Sequence, residues 1–225
     1  MEEKKQENRD EKRIYIICDS LLTAEERCLA EEAAEQLRTL FPALDTVGPT
    51  DEPAYRQARS QADRMVAEAR REDGKADGSL LLKRLETVRR SLPQAAALVL
   101  ITGSDLYASS LQLSWCFGVA NYQRGVCVHS VYRYRKLTRE EQLRCLQRTL
   151  RHELGHIFGM AKDKSRANTE EHFGPHCTSP GCSMRQAGTL RALLQCAAEE
   201  ERSGEYFCQY CREDMQKYFS ETGLK

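Results

Sequence analysis

Apolar residues recur along this chain at two spacings, and the elements change where the spacing changes. Ile14-Tyr15-Ile16-Ile17-Cys18 is a short, β-branched apolar run and predicts a buried strand. Leu29, Ala33, Leu37 and Leu40 then fall on one face of a helix. Thr23 opens it, Glu26 completes a capping box, and Pro42 stops it. Residues 42–53, with Pro42, Gly48, Pro49 and Pro53, read as a loop with room for one short strand. Ala54 to Glu72 and Leu80 to Leu92 read as helices with solvated charged faces, parted by a polar turn from Arg70 to Gly78. Ala96 to Thr102 is the strongest strand signal; it is apolar on both faces and therefore central in its sheet. Gly103 to Tyr107 reads as a turn, and Trp115 to Ala120 and Val126 to Tyr132 as two further strands joined through Asn121 to Gly125. His129, at an alternating position in the second of these, reads as a structural histidine. Thr138 and Glu141 form another capping box, and Leu143, Leu146, Leu150 and Ile157 give the helix they open a core-facing stripe.

That helix ends in His152-Glu153-Leu154-Gly155-His156-Ile157-Phe158-Gly159. Residues four apart lie one turn apart on one face, so His152 and His156 can both reach one metal ion. Glu153 can reach a water on that ion and take its proton, which is the layout of a zinc hydrolase. Gly159 suits the left-handed residue that follows a last turn. The histidines must lie beside the apolar stripe, at the edge of a cleft.

Composition narrows the possibilities. The chain has 225 residues, enough for one domain with a small appendage. Acidic and basic residues balance at 34 each, so no global field points to nucleic acid or a membrane surface. No stretch approaches the ~20 apolar residues of a membrane span. Residues 1–13 are almost all charged, lack a signal peptide's apolar region and read as a disordered tail, which gives a cytoplasmic expectation. In that compartment the ten cysteines stay reduced and their spacings read as metal sites before disulfides. Cys18, Cys28, Cys116, Cys127, Cys145 and Cys196 are scattered and read as small hydrophobes. Cys177, Cys182, Cys208 and Cys211 are patterned, and four thiolates are the usual structural zinc site.

A catalytic zinc needs a third protein ligand. Three residues after Gly159 stands Lys162, whose ammonium cannot bind a metal. His172 and His176 follow; then come Cys177-x4-Cys182-x-Met184 and Cys208-x-x-Cys211. Here the chain resembles the archaemetzincins, a metzincin-clan family of zinc metallopeptidases. That family carries HExxHxxGxxH, a cysteine directly after the third histidine, C-x4-C-x-M and a final CxxC. Every element is present in order over residues 149–211, with one insertion of about fourteen residues between Gly159 and His176. The resemblance implies an α+β, zincin-like fold. It implies a single catalytic domain over 14–225, with 160–175 as an inserted loop and 176–225 as a zinc-stabilised C-terminal part. It also implies that His152, His156 and His176 bind a catalytic zinc, with His172 as the competing third ligand. Glu153 is then the general base, Met184 the methionine of the turn beneath the metal, and the four cysteines the ligands of a second, structural zinc. A peptide substrate would lie along the strand near Leu111 to Val119, and some members are described as aminopeptidase-like on small peptides.

Closing a loop of about sixteen residues instead of about two costs roughly 2 kcal/mol. Zinc binding supplies on the order of 10 kcal/mol, so a long loop can still deliver His176. The highly charged insertion is expected at the mouth of the cleft, restricting access. The alternative function is a catalytically inactive binding module held together by zinc, in which Arg144, Arg148 and Arg151, with Arg133, Arg135 and Lys136, contact an acidic partner. A solvated helix face is the simpler expectation for those arginines, and Glu153 favours the enzyme.

Overall fold

Consecutive residues of β1 (Arg13–Cys18) face opposite ways: Ile14, Ile16 and Cys18 join one core, Tyr15 and Ile17 the other. β4 (Ala95–Thr102) divides in the same way, Ala97, Val99 and Ile101 against Leu98 and Leu100. Both strands are therefore sandwiched, as their unbroken apolar runs require. α1 (Ala24–Leu40) and α4 (Arg139–Ile157) cover the first face; α2 (Pro53–Ala69) and α3 (Gly78–Ser91) cover the second. This computed structural model describes residues 12–223, so most of the charged run 1–13 lies outside the described residues.

The main sheet has the order β2-β1-β4-β8-β7, with β2 (Asp45–Val47), β7 (Gly118–Asn121) and β8 (Val126–Ser130). All pairings are parallel except that β7 runs antiparallel to β8. β3 (Ala76–Asp77), β5 (Leu106–Ala108) and β6 (Leu113–Cys116) make a small second sheet. β9 (Thr169–Glu171) and β10 (Pro175–Cys177) form a hairpin, and α5 (Leu190–Ser203) and α6 (Gln209–Thr222) complete the chain. Among the described residues no helix is long and apolar enough to cross a membrane.

Both expected capping boxes are present. Thr23 Oγ1 accepts from the Glu26 amide at 3.1 Å while Glu26 Oε2 accepts from the Thr23 amide at 2.8 Å. Thr138 and Glu141 repeat the exchange at the start of α4. Such caps contribute about 1 kcal/mol each.

Three expectations need correction. Trp115 to Ala120 is not one strand. The Phe117 carbonyl turns to accept the Ser130 amide (2.8 Å) and its ring joins the first core, while Cys116 and Val119 join the second. The chain thereby passes from the edge of one sheet (β6) to the edge of the other (β7). Gly103 to Tyr107 is a turn only as far as Asp105, because Leu106 already pairs with Cys116 in β5–β6. Within the turn expected at Arg70 to Gly78, Ala76 and Asp77 form β3, which pairs parallel with β5.

Candidate active site and second metal centre

α4 brings His152 and His156 onto one face, and β10 sets His176 opposite them. Their ligand atoms lie within 4.8 Å of one another. His152 Nε2 and His156 Nε2 are 3.2 Å apart, and a tetrahedral zinc centre puts neighbouring nitrogens about 3.4 Å apart. His152 Nδ1 donates to the Ser183 carbonyl (2.8 Å) and His176 Nδ1 to the Gly174 carbonyl (2.9 Å). Each leaves the Nε2 lone pair free. Burial pushes His152 and His176 below the usual imidazole range and His156 down to about 3, so all three are neutral, the form that binds metal. The three side chains thus suit a zinc ion.

His172 stands apart from this group. Its Nδ1 donates to Gln186 Oε1 (2.8 Å) in an exposed position. Lys162 also stays off the group and lies over the Tyr122 ring at 4.2 Å. His129 is fully buried in β8, 5.5 Å from the Tyr134 ring, and neither ring nitrogen has a partner among the described residues. Burial lowers it to about 3.

Glu153 lies beside the histidines, 5% exposed, and burial pushes its carboxyl up to about 8. It packs against bare backbone, because a Cβ on Gly118 would sit 2.7 Å from Glu153 Oε1. Gly155 has a similar role on the opposite side of α4, where a Cβ would overlap Met184 Sδ. Met184 is fully buried, and its carbonyl accepts from the Cys177 amide at 3.0 Å. Gly159 takes φ +82°, as a left-handed residue after a last turn does.

The cysteines form a second cluster. Cys177 Sγ lies 3.7 Å from Cys208 Sγ, and Cys182 Sγ lies 3.7 Å from Cys211 Sγ. Four sulfurs about 2.3 Å from one zinc stand about 3.8 Å apart, so this donor set also suits zinc. No cysteine among the described residues is in a disulfide. Hydrogen bonds from Cys182 and Cys211 hold the Cys177 thiol well below its ordinary range. The insertion also contributes here: Asn168 Nδ2 donates to Cys177 Sγ (3.5 Å) and Arg166 Nη2 to Cys211 Sγ (3.9 Å). His176 and Cys177 are neighbours on β10, so one strand serves both centres.

The histidines and Glu153 line a cleft of about 760 Å³. Residues 111–119, including β6, form part of its wall, as does the start of β7. Both strands end their sheets, so each offers an unpaired edge among the described residues. Glu170, His172, Phe173 and Gly174 of the insertion also line the cleft, and Phe173 is 48% exposed.

Two of the α4 arginines expected on a solvated face, Arg148 and Arg151, are buried instead, while Arg144 stays partly exposed. Arg148 and Arg151 are 2% and 3% exposed and both pair with Glu200 of α5, at 2.8 and 2.7 Å. Arg144 pairs with Glu201, Arg133 with Asp105 and Arg135 with Glu26. Glu200 Oε2 also accepts from Ser183 Oγ (2.8 Å), tying this network to the carbonyl that orients His152. Ser183, Glu200 and Gly118 carried no signal in sequence. Arg148 carried one, its spacing one turn before His152.

No family model matches the chain, and no curated protein matches it. Solved structures do. A zinc-dependent peptidase from Methanocorpusculum labreanum matches with a TM-score of 0.61 at 21% identity, over 90% of this chain and 99% of its own. An archaemetzincin from Methanopyrus kandleri matches with a TM-score of 0.62 at 17% identity, over 94% and 97%. An archaemetzincin from Archaeoglobus fulgidus, solved with malonate, matches with a TM-score of 0.58 at 18% identity, over 90% and 99%. These full-length superpositions establish the architecture: the chain has the archaemetzincin fold.

Proposed function

We propose that this chain is a zinc metallopeptidase of the archaemetzincin family, holding one zinc on His152, His156 and His176 and a second on the four cysteines. The observation that carries the reading is the convergence of three neutral imidazoles and one buried glutamate at the wall of one cleft. A purely structural centre has no use for a buried carboxylate, which costs free energy to place there. When bound, zinc supplies Lewis acidity that polarises a scissile carbonyl and acidifies water.

The chain's own groups do the rest. The Ser183 and Gly174 carbonyls fix the tautomers of His152 and His176, so Nε2 is the ligand atom in each. Glu153, held against Gly118, takes the proton of the attacking water and delivers it to the leaving amine. The free edges of β6 and β7 receive an extended peptide by backbone hydrogen bonds. The cysteine centre is structural: it anchors β10, and with it His176, to the start of α6.

The test is zinc content followed by turnover of a peptide library. Two ions per chain are expected in the parent and in Glu153→Gln, with hydrolysis in the parent alone. Undiminished turnover in Glu153→Gln sinks the mechanism, and a single ion per chain sinks the two-site assignment.

A further inference from the structure

The network behind the histidines holds one more positive charge than it cancels. Arg148 and Arg151 share the single carboxylate of Glu200, and all three are at most 3% exposed. Each nitrogen of Arg151 has a partner. Its Nε donates to Ser183 Oγ (3.2 Å), its Nη2 to Glu200 Oε2 (2.7 Å) and its Nη1 to Gln36, and the Tyr206 ring lies 4.1 Å from its guanidinium. Arg148 is not saturated. Its Nε lies 2.8 Å from Glu200 Oε1 without an aligned hydrogen bond, and its Nη2 donates to the Arg185 carbonyl.

Arg148 is also the member of the pair that lines the cleft, one helical turn before His152 on the same face. It is the one lysine or arginine among the lining residues; the acidic residues there are Glu153 and Glu170. One carboxylate, Glu200, serves both guanidiniums, so the pair keeps a net positive charge at the cleft wall, and the planar fork of Arg148 favours a further carboxylate there.

We infer that Arg148 makes this wall a carboxylate-binding subsite: the cleft selects peptides whose residue seated against α4 carries a carboxylate, on its side chain or at the C terminus. The inference rests on the peptidase reading, because it takes the cleft's occupant to be a peptide. It separates the two possible sources of the carboxylate by experiment.

Short peptides differing only by Glu or Gln at one scanned position, each with a free or amidated C terminus, are titrated against full-length, zinc-loaded Glu153→Gln protein. Trp115, the chain's single tryptophan, lines the cleft, so its fluorescence reports occupancy without turnover. At one position the acid is expected to bind about tenfold more tightly than its amide, the factor carried by a hydrogen bond between charged partners. The preference should shrink at high salt, vanish in Arg148→Gln and survive only in part in Arg148→Lys. Dependence on the side chain assigns an acidic residue; dependence on the terminus assigns the C-terminal carboxylate. Equal binding of acid and amide forms at every position overturns the subsite and leaves the peptidase reading standing. Failure of every peptide to bind overturns both. A preference that persists in folded Arg148→Gln also overturns the subsite, and if that variant does not fold, the acid–amide comparison and its salt dependence in the arginine-bearing protein decide.

Discussion

Replacing Glu200 by glutamine tests the buried charge network most sharply. The substitution keeps shape and volume and removes one charge. In the native network Glu200 Oε2 accepts from Ser183 Oγ at 2.8 Å and from Arg151 Nη2 at 2.7 Å, while Oε1 faces Arg148 Nε at 2.8 Å. A glutamine keeps the first two bonds with its carbonyl oxygen and turns its NH2 toward Arg148, where donor meets donor. Two guanidinium groups then share no carboxylate in a site where all side chains are at most 4% exposed, so solvent screens little. Breaking a buried pair from one side costs about 3–5 kcal/mol. In a chain of this size each kcal/mol lowers the thermal midpoint by about 2–4 °C, so a loss of about 6–20 °C is expected. The assay is thermal unfolding followed by circular dichroism, at fixed protein and zinc concentration because bound metal shifts the midpoint. A midpoint within about 2 °C of the parent would refute the claim that these charges depend on one another.

Three further predictions follow from single contacts. Gly118→Ala places a methyl group 2.7 Å from Glu153 Oε1 and 3.0 Å from the Val128 carbonyl, so peptide turnover should fall about tenfold or more with zinc content unchanged; parent-like turnover would mean Glu153 is not held by that backbone. Cys208→Ala removes one of four sulfurs at the start of α6, and should lower zinc per chain by one and reduce helicity, since zinc binding and folding are coupled there; an unchanged zinc count and spectrum would dismiss the second centre. His129 is held neutral, with its pKa depressed to about 3, so its stabilising effect is complete above the unfolded value near 6.5 and is lost as pH falls, by about 2 kcal/mol at pH 5. His129→Leu should therefore lose less stability than the parent between pH 7 and pH 5, and equal losses would show that His129 gains a proton partner in the fold.

Much of the candidate site was legible in advance because its spacing is local. His152 and His156 are one turn apart wherever α4 forms, and the capping box at Thr138 and the stripe through Leu146, Leu150 and Ile157 ensure that it does. The cysteine pattern was legible for the same reason, since its thiols come in near pairs flanking a turn and a helix start. The strand break at Phe117 was not, because an apolar run reads identically whether it stays in one sheet or crosses to another; only the pairing of Cys116 with Leu106 and of Gly118 with His129 separates the two.

The sequence by itself determined the strands β1 and β4 and their burial, the helices α1 to α4, and which residue types could hold metal. These follow from periodicity and side-chain chemistry, which act over a few residues. The tertiary structure alone decided between His172 and His176 as the residue beside His152 and His156, because a hairpin register, His176 opposite Glu170, sets which imidazole turns inward. It also decided that Arg148 and Arg151 are buried, since their burial depends on Glu200, about fifty residues away and one polar position among several on α5. A charged residue advertises its charge in the sequence. Whether that charge meets water or a partner is a long-range contact, which only the folded chain supplies.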